Sequence, residues 1–377
     1  MLTFLVAVTL IAFVVAVIAS VVTWARRHSL EPPGPTVPMG PAWVERLLPA
    51  HPKWAFVSAI VIAGLLGVSL VLLAVLINQR VTGRQAAYGY AIFVLAPFAV
   101  GFVAGALTTY RQTPTVWSFV LAGACAPLAC GLAFLAAGAE GAVCLFMAMP
   151  ITVPCSVTGA LIAYFVHVQG RARATAMGMM VCLIPLGLMA EPGLMGPPPA
   201  TTVRSAIEIQ APPSTVWAHL AEFDPIAAPA DSWFFRAGVA YPISARLMEA
   251  PGVGAMRVCD FSTGRFVETV RVWDEARRLM FTIESGPPVL REWSPYGDIR
   301  PPHVQGYFVP QSGDFTLVPL AGGGTRLEGT SVYRNHMWPS HYWRLWSDAI
   351  VSRVHRRVFE NVKRLAERDS AGLAVTR

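Results

Sequence analysis

The stretch VRSAIEIQAPPSTVWAHL, Val203 to Leu220, decides how this chain is read. Side chains alternate across a strand with period two, so Val203, Ile207 and Ile209 share one face. Pro212-Pro213 suit the first turn of a helix, and Val216, Trp217 and Leu220 follow at helical spacing. A strand running at once into a Pro-initiated helix opens a folded domain, and what precedes it has a different character.

The chain of 377 residues is 54% hydrophobic and 14% charged, too apolar for an ordinary soluble protein and long enough for two or three domains. The excess sits in the first half: residues 1–200 carry 9 Lys+Arg and 4 Asp+Glu, leaving 20 and 18 for residues 201–377. The net charge of +7 therefore divides as +5 and +2, a distribution that reflects basic residues flanking membrane segments. No dense Lys/Arg cluster interleaved with aromatics is present, which argues against a nucleic-acid partner. Five of the six cysteines lie in apolar segments and read as small buried side chains, and Cys259 stands alone in the second half, so no disulfide framework is expected.

About 20 apolar residues suffice to cross a bilayer as a helix. Six spans are expected, near 2–24, 54–77, 88–109, 116–138, 142–168 and 174–191, the last being short. The first lacks a basic n-region and is followed by Arg26-Arg27-His28, so it reads as a retained anchor with its N-terminus outside. With six spans the basic loops fall inside, and the second half of the chain falls on the non-cytoplasmic side of what would be a bacterial inner membrane. Sidedness depends on that even count. Almost nothing ionisable lies inside the spans, Glu140 falling in a turn and His167 at a span end, and this gives little support to a carrier or proton path. Gly101 and Gly105 form a small-xxx-small pattern for close helix packing, and Pro97, Pro127, Pro150, Pro154 and Pro185 are candidate kinks.

The expected organisation is a membrane region over 1–190, a Pro-rich linker over 191–202, an α+β domain over 203–368 and a tail over 369–377. Beyond the opening strand and a helix near 213–222, strand patterns fall at about 243–249, 254–261, 265–273, 278–285, 304–319 (read as broken in two) and 325–335. Gly322-Gly323-Gly324 reads as a hairpin turn. A long helix over about 340–367 carries Trp343, Trp346, Ile350, Val354, Val358, Val362 and Leu365 on one stripe. This order implies a curved antiparallel sheet wrapped around one amphipathic helix.

Val203 to Trp217, the pair Arg278-Leu279, Thr325-Arg-Leu-Glu-Gly-Thr330 and the final helix together resemble the START-like superfamily, also called SRPBCC or polyketide cyclase/dehydrase-like, over roughly residues 201–368. Cys259-Asp-Phe-Ser-Thr-Gly264 and Ser294-Pro-Tyr296 look like a bacterial subgroup with membrane-spanning N-termini. The resemblance implies a helix-grip fold with a deep apolar cavity. It implies no single chemistry, because such domains serve as carriers, enzymes and regulators.

Alternation places Phe266, Glu268, Val270 and Val272 on one face of strand 265–273, setting a carboxylate among apolar side chains. Glu268 is a candidate cavity acid, with pairing to Arg257 or Arg265 as the structural alternative. Strand 325–335 puts Leu327, Gly329, Ser331, Tyr333 and Asn335 together, and Tyr333 would offer a phenolic hydroxyl to a ligand. His336 and His341 straddle Trp338-Pro339 without the spacing of a helical metal pair, so no metal site is expected and His336 and Trp338 are placed at the cavity mouth. Trp343 and Trp346 suit an aromatic lining. His303 lies in a loop that would cover the cavity, and Cys259 has no activating base nearby in sequence. Nucleophile-elbow, phosphate-loop and dinucleotide motifs are absent from the sequence, and no cofactor is expected.

The leading expectation is a non-catalytic, membrane-anchored domain that binds a lipid or other hydrophobic small molecule, with membrane lipids and that ligand as its partners. One alternative is a cyclase or dehydratase in which Glu268, Tyr333 and His336 converge on a substrate for general acid/base chemistry. Another is a partner-binding regulatory module, which calls for an exposed apolar patch instead of an enclosed pocket.

Overall fold

The computed structural model describes residues 42–82, 88–110, 115–168, 173–194, 196–228, 232–304 and 306–375. The expected span at 2–24 lies outside them. Two compact units result: a helical one that ends at Gly196 and takes in Ser294–Ile299, and a second formed by Pro197–Trp293 with Arg300–Arg377.

In the helical unit a short α1 (Ala42–Glu45) precedes α2 (Pro52–Thr82). A π-helical turn (Ala91–Leu95) runs into α3 (Ala96–Thr108), and α4 (Val116–Ala136), α5 (Ala142–Val168) and α6 (Arg173–Leu194) follow. Among the described residues, four segments are long and apolar enough to cross a membrane: Pro52–Leu76, Ala91–Thr108, Val116–Ala136 and Ala142–Val168. Within α6 the apolar stretch is the shorter Cys182–Glu191. Helix α3 is buried along almost its whole length, and small residues let it approach α5 closely. A Cβ on Gly101 would stand 1.9 Å from the Ser156 carbonyl oxygen, and one on Gly159 would stand 1.9 Å from that of Phe98. Pro127, Pro150 and Pro154 lie inside helices, and Pro97 follows directly on the π-helical turn that runs into α3. Glu191, expected at the start of the linker, is buried on α6. Its carboxylate accepts hydrogen bonds from the backbone amides of Tyr90 and Ala91, which satisfies two donors that a helix start leaves open.

The second unit opens with β1 (Thr201–Ile209) and α7 (Pro213–Ala221), followed by α8 (Trp233–Arg236). The sheet continues with β2 (Pro242–Leu247), β3 (Met256–Phe261), β4 (Gly264–Asp274), β5 (Arg278–Ser285), β6 (Phe308–Pro319) and β7 (Thr325–Asn335), and the unit closes on α9 (Ser340–Val375). All pairings are antiparallel, in the order β1-β7-β6-β5-β4-β3-β2. This curled half-barrel with one long terminal helix is the helix-grip fold.

Local chemistry explains the corners. Pro212 is extended, and its carbonyl accepts the first amides of α7 from Thr215 (3.1 Å) and Val216 (3.2 Å). The Thr325 hydroxyl donates to the Ala211 carbonyl at 2.7 Å, fastening the start of β7 to the turn between β1 and α7. At the β6–β7 hairpin Gly323 adopts φ +80°, a left-handed conformation that favours glycine. The region expected as a broken pair at 304–319 forms one strand, Phe308–Pro319, preceded by a 3-10 turn at Pro302–Val304. An irregularity in pairing with β7 between Pro310 and Ser312 absorbs the proline, which cannot donate to the ladder.

The core joins the sheet to α7 and to the C-terminal part of α9: Ile209, Val216, Leu220, Val270, Leu279, Leu327, Val362 and Ala366 are fully buried. Phe359 of α9 lies directly over Gly329 of β7, where a Cβ would stand 2.5 Å from the Phe359 Cζ and 3.2 Å from the Phe315 Cδ1. Gly329→Ala should therefore lower stability by about 1–3 kcal/mol through overpacking. Adding Phe359→Leu should recover part of that loss. Thermal unfolding of the full chain, followed by near-UV circular dichroism, reads both; an unchanged midpoint in Gly329→Ala would refute this account of the helix–sheet contact.

Candidate functional site

The site lies between α9 and the inner face of the sheet. In the C-terminal part of α9 Phe359, Val362 and Ala366 close on the strands, while Ile350, Val351, Val354, His355 and Val358 border a cavity with about 150 Å³ of free space. The opposite wall is aromatic, with Phe266 from β4, Phe281 from β5, Phe308 and Phe315 from β6 and Tyr333 from β7. Phe261 and Phe266 meet edge to face with ring centres 4.7 Å apart, and Phe308 stacks on Tyr333 at the same spacing. Gly313 admits the Phe281 ring, since a Cβ there would stand 2.4 Å from its Cζ.

Few polar groups interrupt this surface. The first set is Arg257 and Glu268, directly opposite each other on β3 and β4. Their side chains are 3% and 6% exposed, and the guanidinium Nη1 donates to the Glu268 carboxylate. Arg257 also donates through Nε to the Ala221 carbonyl at 3.0 Å, and its guanidinium lies 5.3 Å from the centre of the Phe281 ring. Burial raises the Glu268 pKa, and the charge and hydrogen bond of Arg257 oppose that rise. Burial pulls Arg257 down, but Glu268 together with Cys259 and Glu222 outweighs it, and the guanidinium stays charged. The two form a buried, mutually neutralising pair.

The second set is Ser331, His355 and Ser205. The Ser331 Oγ lies 2.7 Å from His355 Nε2, and His355 Nδ1 lies 3.0 Å from the Ser205 Oγ. The imidazole stacks on Phe359 with ring centres 5.8 Å apart. Burial alone lowers the His355 pKa to about 4, so the ring is neutral at physiological pH.

Of the residues expected at the site, Phe266, Glu268, Tyr333 and Cys259 line the cavity. Burial, followed by the Glu268 charge, pushes the Cys259 thiol well above its ordinary range, which removes the thiolate that a nucleophile requires. The Tyr333 hydroxyl donates to Asp348 at 2.6 Å, so the ring faces the cavity while the phenol is already engaged. Burial, and then Asp348, hold that phenol above its usual pKa. The other five residues are not part of the lining. Trp346 packs against Phe234 of α8, Trp343 is buried in the first turn of α9, and Trp338 lies just before that helix. His336 is partly buried beside Arg334, and both effects lower its pKa. His303 is buried on the 3-10 turn with Nε2 3.2 Å from the Glu292 carboxylate. His355 and Ser312 were not singled out by the sequence reading. A signal for His355 existed, because Val351, His355 and Phe359 form an i, i+4 row on the inner face of α9.

No protein-family model and no curated protein matches the sequence. Solved structures of similar fold include a protein from Nitrosospira multiformis, at 19% identity over 45% of this chain and 99% of that one, with a TM-score of 0.30. A point mutant of norcoclaurine synthase from Thalictrum flavum, in complex with a transition-state analogue, is 8% identical over 47% of this chain and 99% of its own, again with a TM-score of 0.30. A START superfamily protein from Mycobacterium smegmatis is 14% identical over 44% and 97%, also with a TM-score of 0.30. At these values the likenesses carry no argument about activity, and the fold rests on the strand order and the terminal helix described above.

Two predictions follow from the polar groups. Glu268→Gln strands the Arg257 charge and should cost about 3–5 kcal/mol, whereas Arg257→Met with Glu268→Leu should fall near the wild type. Comparing the unfolding midpoints of the two variants checks this, and equal losses would contradict it. His355 is neutral when folded down to about pH 4, while the unfolded chain binds a proton from its ordinary 6.5. Stability should therefore fall as pH drops from 6.5 towards 4, by roughly 3 kcal/mol in all. His355→Gln should flatten that slope in a pH series of thermal melts.

Proposed function

We propose that the second unit is a non-catalytic cup for a small, uncharged, largely apolar molecule, carried on a membrane-anchored chain. The observation that supports this most directly is the cavity: about 150 Å³, walled by phenylalanines and branched aliphatic side chains, with its one ion pair neutralised internally. An apolar cavity of that size accommodates a benzene-sized guest without water, which favours a ring-sized molecule over a diacyl lipid. The four long apolar helices support the anchoring part of the proposal.

A general acid/base enzyme draws less support. Its three candidates do not meet: Glu268 is bound to Arg257, the Tyr333 hydroxyl is bound to Asp348, and His336 is not in the lining. The partner-binding reading calls for an open apolar patch, and the recessed aromatic cavity favours a ligand instead.

Native mass spectrometry of the full chain, released from detergent, should show a small-molecule adduct or uptake of added benzene-sized compounds. Ile283→Trp, which fills the cavity from β5, should abolish either signal while the protein stays folded. A chain that takes up no aromatic or terpenoid probe, or an Ile283→Trp variant that binds as well as the wild type, would overturn the proposal.

A further inference from the structure

The Ser331–His355–Ser205 chain links β7, α9 and β1 through one buried imidazole. A buried neutral imidazole and its hydroxyl partners gain little net stability over shape-matched apolar groups. Its position suggests a use: Ser331 and His355 both border the cavity, on β7 and α9, and Ser205 backs the imidazole from β1. Arg257 and Glu268 also border the cavity but are engaged with each other.

Proton counting shows what the trio can do. A neutral imidazole carries one N–H and one acceptor nitrogen. With the proton on Nδ1, the imidazole donates to Ser205, Ser331 donates its O–H to Nε2, and the lone pairs of Ser331 face the cavity as an acceptor. With the proton on Nε2, Ser205 donates to Nδ1, the imidazole donates to Ser331, and the Ser331 O–H is released to donate into the cavity. Both arrangements keep two hydrogen bonds to the imidazole, so neither leaves a buried nitrogen unsatisfied. The second serine is what makes the exchange possible.

Building on the cup proposed above, we infer that Ser331, backed by His355 and Ser205, is the polar anchor of the ligand site and accepts from a hydroxyl or donates to a carbonyl according to the tautomer of His355. The ligand class is then a neutral, ring-sized molecule with a single hydroxyl or carbonyl group. The low pKa of His355 is consistent with this, since a cationic imidazole would donate from both nitrogens and could not switch.

The test uses the full chain in lipid nanodiscs with three probes built on one benzene ring: phenol, acetophenone and toluene. Both polar probes should bind about threefold to tenfold more tightly than the hydrocarbon, the worth of one hydrogen bond. In Ser331→Ala both affinity ratios should fall to near one. Partition into the bilayer is the same for wild type and variant, so it cancels in that comparison. In a wild-type chain labelled with 15N-histidine, the protonated ring nitrogen of His355 should be Nδ1 with phenol and Nε2 with acetophenone. His355→Gln identifies its signals among the eight histidines. Equal affinities for all three probes, ratios that survive Ser331→Ala, or one tautomer throughout would each refute the anchor, and binding of toluene would then leave the cup itself standing. Failure of all three probes to bind would bring down the cup and the anchor together.

Discussion

The contact of Phe359 with Gly329 sets the shape of everything above it. A sheet of seven strands with an apolar inner face must be covered, and α7 and α9 provide the cover. Where β7 lacks a side chain α9 comes down on the strand, and Phe359, Val362 and Ala366 are lost from solvent. Nearer its N-terminus the helix is fastened to β7 a second time, where Tyr333 donates to Asp348 and Asn335 to the Ser347 hydroxyl. Between the two fastenings lies the cavity bordered by Ile350, Val351, Val354 and His355, which the phenylalanines of β4, β5 and β6 keep narrow.

Electrostatics then determines what such a cavity can hold. A lone buried arginine would select an anion and a lone buried glutamate a cation, and either would be expensive in the absence of its ligand. Cross-strand placement of Arg257 and Glu268 cancels both preferences before any ligand arrives. What remains is an apolar surface with a few neutral hydrogen-bonding groups. Specificity in such a site comes from shape and from one or two well-placed polar contacts, since burying an unmatched hydroxyl or carbonyl costs more than a matched one gains.

The sequence made some of this legible and hid the rest for identifiable reasons. Alternation along β4 and β7 put Phe266 with Glu268, and Ser331 with Tyr333, because a strand has only two faces and the apolar residues reveal which one is inside. The stripe on α9 gave the buried face of the helix but no depth along it. Trp343 and Trp346 share that stripe, yet they lie one to two turns before the cavity begins at Ile350. Pairing between strands was harder. Arg265 lies three residues from Glu268 along the chain and Arg257 eleven, yet the register of β3 against β4 sets Arg257 opposite Glu268 and Arg265 opposite Asp260. The serine–histidine chain joins residues 24 and 150 positions apart, so no local pattern announces it.

On the proposed reading, a cup joined to membrane-crossing segments has a different binding problem from a free one. An uncharged apolar molecule partitions into the bilayer, so its concentration there far exceeds that in water. A soluble carrier would have to compete with the bilayer from a distance, whereas a tethered cup samples the region where the molecule accumulates. Weak binding is then sufficient, and weak binding is what a cavity of this size can offer, since few atoms fit inside it. A single hydrogen bond becomes a large fraction of the selectivity under those conditions. Bulk hydrocarbon competes for apolar contact almost equally well, but it has neither a donor nor an acceptor to match the ligand's polar group. On the proposed reading, the polar trio of Ser331, His355 and Ser205 is the part of the cup that the membrane cannot imitate.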